Sequence, residues 1–173
     1  MNMKRILLLQ LAIAFVFIFC LSAYGQSNRK SRNVLSFNSF GAVKVGMTVS
    51  QASKALGIPL VTPEEVNKDC YYVSPKQRFK EIDFMVTNNR IARIDTNSNK
   101  YMTSEGAKVG DTEMKIKRLY KGRIKVSPHK YVDGHYLSVE QGKFEIIFET
   151  DGKRVTSIRA GKSPEVGYVE GCS

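Results

Sequence analysis

The 173-residue sequence has no Gly-x-Ser-x-Gly elbow, no glycine-rich loop with phosphate-binding spacing and no Cys-x-x-Cys pair. These absences exclude α/β-hydrolase chemistry, P-loop nucleotide binding and dithiol redox catalysis in their usual forms. The stretch Gly41-Ala42-Val43-Lys44-Val45-Gly46 is glycine-flanked but lacks the P-loop spacing. A Ser-x-x-Lys pair, Ser27 and Lys30, sits in a polar stretch with no rigid element to position it. Histidine is scarce, with His129 and His135 alone, and acidic residues are few, 16 against 27 Lys and Arg.

What is present begins with an export pattern. Lys4 and Arg5 precede an apolar run from Ile6 to Leu21, followed by Ala23-Tyr24-Gly25-Gln26. A basic start, an apolar run and a small-x-small site predict a signal peptide over residues 1–25, cut near Gly25-Gln26. The run is slightly short for a spanning helix, which needs about 20 apolar residues. Cys20 follows bulky Phe19, so it is read as part of the apolar run and not as a lipidation site. Cleavage would remove Lys4 and Arg5 and no acid, lowering the formal charge from +11 to +9. Such a charge favours anionic partners: acidic protein surfaces, envelope polymers or lipid headgroups. Nucleic acid is not an expected partner, because the basic residues are scattered and an exported protein rarely meets it.

Cys70 and Cys172 remain after cleavage. An even count in an oxidising compartment predicts a disulfide between them. Two thiols without nearby His or further Cys do not make a zinc site.

Similarity recurs within the chain at an offset of 64. Val45-Gly46-Met47-Thr48 matches Val109-Gly110-Asp111-Thr112, Tyr72-Val73-Ser74 matches Tyr136-Leu137-Ser138, and Ile82 and Phe84 match Ile146 and Phe148. Thr48 and Thr112 suit helix N-caps, with helical apolar spacing behind each. Alternating Ile82-Phe84-Val86 and Phe144-Ile146-Phe148 predict half-buried strands, with turns at Asn88-Asn89 and Asp151-Gly152. In the returning segments, Arg90 to Thr96 and Arg154 to Ala160, apolar positions fall at i and i+3, which predicts a bulge in each. The expected fold is α+β: two tandem copies of a short helical segment followed by a three- or four-stranded antiparallel sheet. A flexible basic leader over 26–36 precedes unit 1 (37–100) and unit 2 (101–173), joined through 97–104. The units are too small to build generous cores alone, so they should share one sheet or pack tightly.

Val45-Gly46-Met47-Thr48 through Leu56-Gly57-Ile58-Pro59 resembles the opening of the SmpA/OmlA small-lipoprotein module. The tandem layout resembles the beta-lactamase inhibitory protein family, and the Glu170-Gly171-Cys172 ending resembles a broad set of uncharacterised exported bacterial proteins. These resemblances imply a bacterial, periplasmic or secreted protein that uses an exposed sheet face to grip a partner. The chain departs from both families: it lacks the lipid-anchoring motif of the first and the disulfides within each unit of the second. No inhibitory residue carries over.

His129, Asp133 and His135 could in principle hold a metal or move a proton, but the spacing matches no standard ligand pattern, and loop residues are the plainer reading. No cofactor, metal site or catalytic residue is expected. Tyr72 and Tyr136 are read as core strand residues, which points their neighbours Tyr71 and His135 outward. Tyrosine is enriched in interface cores, so Tyr71, Tyr131, His135 and His129 form the candidate binding surface. The leading expectation is an exported, non-catalytic protein-binding module, in specific form an inhibitor or accessory factor of an envelope or secreted enzyme. The alternative is a basic envelope module that binds an anionic polymer or lipid surface.

Overall fold

In a computed structural model of the chain, the structure describes residues 34–62, 67 and 69–172. The expected signal peptide and residues 26–33 of the expected leader lie outside the described residues. The leader was expected to run to residue 36, yet Val34–Ser36 is strand β1 with Leu35 buried. It opens a small sheet with β2 (Ser39–Phe40), β3 (Val43–Lys44) and β8 (Met102–Thr103), ordered β3-β2-β1-β8.

The main sheet has eight strands. Helix α1 (Val49–Leu56) leads to β4 (Leu60–Val61), β5 (Cys70–Pro75), β6 (Ile82–Thr87) and β7 (Arg90–Thr96). After β8, helix α2 (Glu113–Leu119) leads to β9 (Ile124–Pro128), β10 (His135–Gln141), β11 (Phe144–Thr150) and β12 (Val155–Lys162). The order is β4-β5-β6-β7-β12-β11-β10-β9, with antiparallel neighbours throughout.

The expectation of an α+β chain made of two tandem helix-plus-sheet units is therefore overturned. Among the described residues the protein is mostly β, with helices of only eight and seven residues, and no division at residue 100 survives in their architecture. The reason lies in the pairing of backbones. β7 and β12 hydrogen-bond from Arg93↔Gly161 to Ile158↔Thr96, so neither keeps a free edge at the sheet's middle. Across the same boundary β1 pairs in parallel with β8. Gly161 permits the closeness of β12 to β7, because a Cβ there would lie 2.4 Å from the Ala92 carbonyl oxygen.

What recurs at offset 64 is local. The Thr48 hydroxyl accepts from Gln51 N at 3.2 Å, and the Gln51 side chain accepts from Thr48 N at 2.9 Å, a reciprocal cap. Thr112 caps α2 through Lys115 N at 3.2 Å. Gly46 and Gly110 donate to the carbonyls of Ile91 and Val155, and Arg90 and Arg154 donate back to the two glycine carbonyls. Register slips at Met85/Val86 and Glu149/Thr150 place a bulge in each returning strand, as the i, i+3 spacing predicts.

One face of the large sheet carries Val73, Phe84, Ile94, Leu137, Ile146, Phe148 and Ile158 into a cluster shared with Ala52 and Leu56 of α1, Ile116 of α2, and Leu35 and Phe40 of the small sheet. Phe40 meets Phe79 and Tyr101 edge-on at 5.3 and 5.2 Å. Tyr120 is buried in the same core; its hydroxyl bonds Thr103 at 2.8 Å, which satisfies the polar end of an otherwise apolar side chain.

Candidate functional site

The second face of the sheet is polar. Alternation along the strands sends Tyr72, Asp83, Arg93, Asp95, Tyr136, Glu149, Ser157 and Arg159 away from the apolar cluster. A segment running from Ser163 to Cys172 crosses this face. It contains a 3-10 turn at Glu165–Gly167, with Glu165 and Val166 buried. Cys172 is bonded to Cys70 at the start of β5, across 102 residues, with Cα atoms 5.3 Å apart. The disulfide expected from the cysteine count is present, and it fastens this strap at its far end.

Two buried arginines hold the strap from below. Arg93 Nη1 donates to the carbonyls of Tyr168 at 2.6 Å and Glu165 at 3.1 Å, and Arg159 Nη1 donates to the Tyr168 carbonyl at 3.1 Å. Charge balance comes from one carboxylate two residues along the same strand and one on a neighbouring strand. Arg93 Nε bonds Asp95 Oδ2 at 3.1 Å and lies 2.9 Å from Oδ1, a contact of charge and not a hydrogen bond. Arg159 Nη2 lies 3.0 Å from Glu149 Oε1. Arg93 Nη2 also donates to the Tyr72 hydroxyl at 2.5 Å. Burial pushes Asp95 up to about 6, against the pull of Arg93, and pushes Tyr72 up to about 12, aided by Asp95. Burial, joined by the nearby Arg93 charge, lowers Arg159. Burial would raise Glu165, but hydrogen bonds from Lys162 and Thr87 outweigh it and hold its carboxyl below the usual range.

From the other side the loop between β9 and β10 folds toward the strap. His129 N donates to the Gly134 carbonyl at 2.9 Å, and a Cβ at Gly134 would lie 2.0 Å from the Thr150 carbonyl oxygen, so the loop closes tightly on β11. His129 Nδ1 accepts from the Tyr131 and Val132 amides at 3.1 and 3.3 Å, leaving Nε2 to face Glu149 at 3.6 Å. The His129 ring stacks on Tyr136 at 4.5 Å. Glu170 of the strap takes Lys130 Nζ at 2.8 Å and the Tyr131 hydroxyl, which joins loop to strap. Those two bonds, Lys130 first, draw the Glu170 carboxyl down. Around this junction Tyr131, Val132 and Tyr168 are 58%, 54% and 42% exposed.

Of the four residues expected to form one surface, the structure brings together Tyr131 and His129, with ring centroids 6.3 Å apart. Tyr71 instead packs against the apolar cluster. His135 turns to α2, its Nδ1 2.7 Å from Glu113 Oε1. The assignment of Tyr72 and Tyr136 to the core, with Tyr71 and His135 outward, is thus reversed, because a one-residue difference in strand parity exchanges the faces. His129 and His135 face different carboxylates and do not converge. Among the described residues no group of three His, Cys, Asp or Glu is placed to hold a metal. Asp83 is tied to Ser74 at 2.5 Å, and Glu149 to Arg159. A Ser-x-x-Lys match that sequence reading missed, Ser127 to Lys130, has its lysine held by Glu170. Sequence reading also missed Arg93, Asp95 and Arg159. Their signal was charge at alternate positions of the two returning strands, opposite the apolar ones.

No protein-family model matches the chain, and no curated protein matches it. A solved structure similar to it is that of the uncharacterized protein yfeY from Escherichia coli, at 12% identity and a TM-score of 0.51. The match covers 75% of this chain and 99% of the other. At that identity the likeness concerns the fold alone.

Proposed function

We propose that the protein is an exported, non-catalytic binding module that grips a protein partner through Tyr131, Val132 and Tyr168. The observation behind this reading is the grouping of three large, half-exposed side chains where the loop and the strap are fastened by Glu170. Aromatic side chains held rigid in advance lose little entropy on docking and dominate many interfaces. The disulfide and the buried arginines keep the strap from rearranging. Export rests on the N-terminal basic, apolar and small-residue pattern. The inhibitor or accessory form of the reading rests on the resemblance to the SmpA/OmlA and beta-lactamase inhibitory groups. A second reading, attachment to an anionic envelope polymer or lipid, draws on the formal charge, +11 for the whole sequence and +9 once Lys4 and Arg5 are removed.

The test is affinity capture from envelope extract with the oxidised protein and with Tyr131→Ala and Tyr168→Ala variants. One protein recovered at equal stoichiometry, resistant to high salt and lost about tenfold in either variant, is the expected outcome. Recovery unchanged by both substitutions would sink the protein-binding reading. Capture of only anionic glycan or lipid, released by salt, would replace it with the second.

A further inference from the structure

The large sheet ends at β9, whose outer side meets no further strand among the described residues. Ile124 is half-buried there, and Lys125 to Pro128 are exposed. One bond fixes the parity of this backbone. His129 N donates to the carbonyl of Gly134, the residue opposite it in the register that pairs Pro128 with His135. In an antiparallel pair such bonded positions alternate with unbonded ones. Lys125 and Ser127 therefore turn their backbones toward β10, while Ile124, Val126 and Pro128 turn theirs away. His135, opposite Pro128, agrees, since its N–H and carbonyl both go to the Thr150 hydroxyl on β11. Among the described residues nothing bonds the outward N–H groups of Ile124 and Val126, or the outward carbonyls of Ile124, Val126 and Pro128. Such a row of donors and acceptors is a template for an added strand.

We propose that this edge takes an extended acidic segment of a partner protein as an added strand. Charge selects the occupant. No Asp or Glu occurs between Glu113 and Asp133, the stretch that leads into β9 and out of it. Lys115, Lys117 and Lys125 are taken up by Asp111, Glu113 and Glu140. Arg118, Lys121 and Arg123 are exposed and meet no carboxylate among the described residues. A second copy pairing through the same edge would set this positive charge against its own kind. A phosphodiester surface would match the charge but not the ladder, because its oxygens accept hydrogen bonds and give none to the outward carbonyls. A peptide with carboxylate side chains supplies both. Pro128 withholds an N–H, which keeps the ladder short, and Lys125 disfavours a purely apolar strand. Both guard the edge against indiscriminate pairing and leave an acidic strand welcome. Val126, opposite Leu137 and 47% exposed, offers that strand an apolar contact. The proposal uses none of Tyr131, Val132 and Tyr168 and stands without the reading built on them.

The test follows the backbone amides of the full oxidised protein by 15N NMR and hydrogen exchange. The probes are a short end-blocked peptide of alternating Glu and Val, the same peptide with Lys for Glu, a fully N-methylated acidic version and vesicles of anionic phospholipid. The acidic peptide should move the Ile124 and Val126 amides and slow their exchange, and the other three probes should not. Val126→Pro removes an outward N–H that the fold itself does not use, and proline is tolerated at such edge positions. It should weaken binding by about tenfold. Lys121→Glu/Arg123→Glu, which leaves the ladder whole, should weaken it at least as much. Outward amides that are protected in the free protein, or that the acidic peptide leaves unmoved, would overturn the proposal. So would equal binding of the lysine or N-methylated peptide or of the vesicles, indifference to both variants, or dimerisation through these amides without peptide.

Discussion

Loss of the Cys70–Cys172 bond tests how the strap is held. The bond closes a span of 102 residues. In the chain-entropy model a loop of that length restricts the unfolded state by about 4.7 kcal/mol at 25 °C. Unfolding entropy near 2.1 cal/mol/K per residue gives roughly 0.3 kcal/mol/K for a body spanning Asn33–Ser173. Removing the bond should then lower Tm by about 15 °C. In the folded state the strap keeps its other anchors, the Arg93 and Arg159 bonds to the Tyr168 carbonyl and the buried Val166 side chain. The loss should therefore fall on the unfolded state while the strap stays docked. Calorimetry and denaturant unfolding of Cys70→Ser/Cys172→Ser would measure the first effect. Val166→Ala, made with and without the bond, would measure the second, with an expected cost of about 2 kcal/mol in both backgrounds. A Tm drop under about 5 °C would refute the staple argument. A Val166→Ala cost that disappears without the bond would refute the docked strap.

The buried charges give further outcomes. Arg93→Met leaves Asp95 buried without its ion pair and should cost about 3–5 kcal/mol, with Arg93→Met/Asp95→Leu recovering much of it in urea unfolding. Asp95 is raised in the folded protein from 3.8 to about 6, so the native state holds its proton more tightly than the unfolded chain does. That contribution is present at low pH and is lost as pH rises from about 4 to about 6, by about 3 kcal/mol. Asp95→Asn should remove the slope in unfolding midpoints over that window. Glu113 and Glu165 are held low, so their contributions vanish only as pH falls below the ordinary glutamate range, opposite in sign and at lower pH. Gly161→Ala drives a Cβ toward the Ala92 carbonyl at 2.4 Å and should destabilise by at least about 1–3 kcal/mol. Gly167→Ala, with nothing within 4 Å of its Cβ, should be nearly neutral in the same thermal assay.

Much of the local structure was legible in the chain. The threonine caps, the alternating strands and the bulges signalled by i, i+3 spacing are encoded by residues close to one another. The faces of β5 and β10 were not. Cys70-Tyr71-Tyr72-Val73 has apolar or amphipathic residues at both parities, so alternation alone cannot choose. The choice falls to Val73 and Leu137, which pair with Phe84 and Phe148 over the core. Half of the expected surface, Tyr71 and His135, moved to the core side with that choice, while Tyr131 and His129 stayed together because one short loop carries both.

The sequence by itself determined the short-range elements and the cysteine pair, since a cap, a turn or an even count of two depends on neighbours or on arithmetic. The tertiary structure decided that the chain forms one mostly β body around an eight-stranded sheet, because that depends on β7 meeting β12 at a glycine some 70 residues away. It also decided that Arg93 and Arg159 are buried and Asp95 partly so. Nothing near them in the chain removes them from water; the strap does, held by the arginines it covers and by a disulfide at its far end.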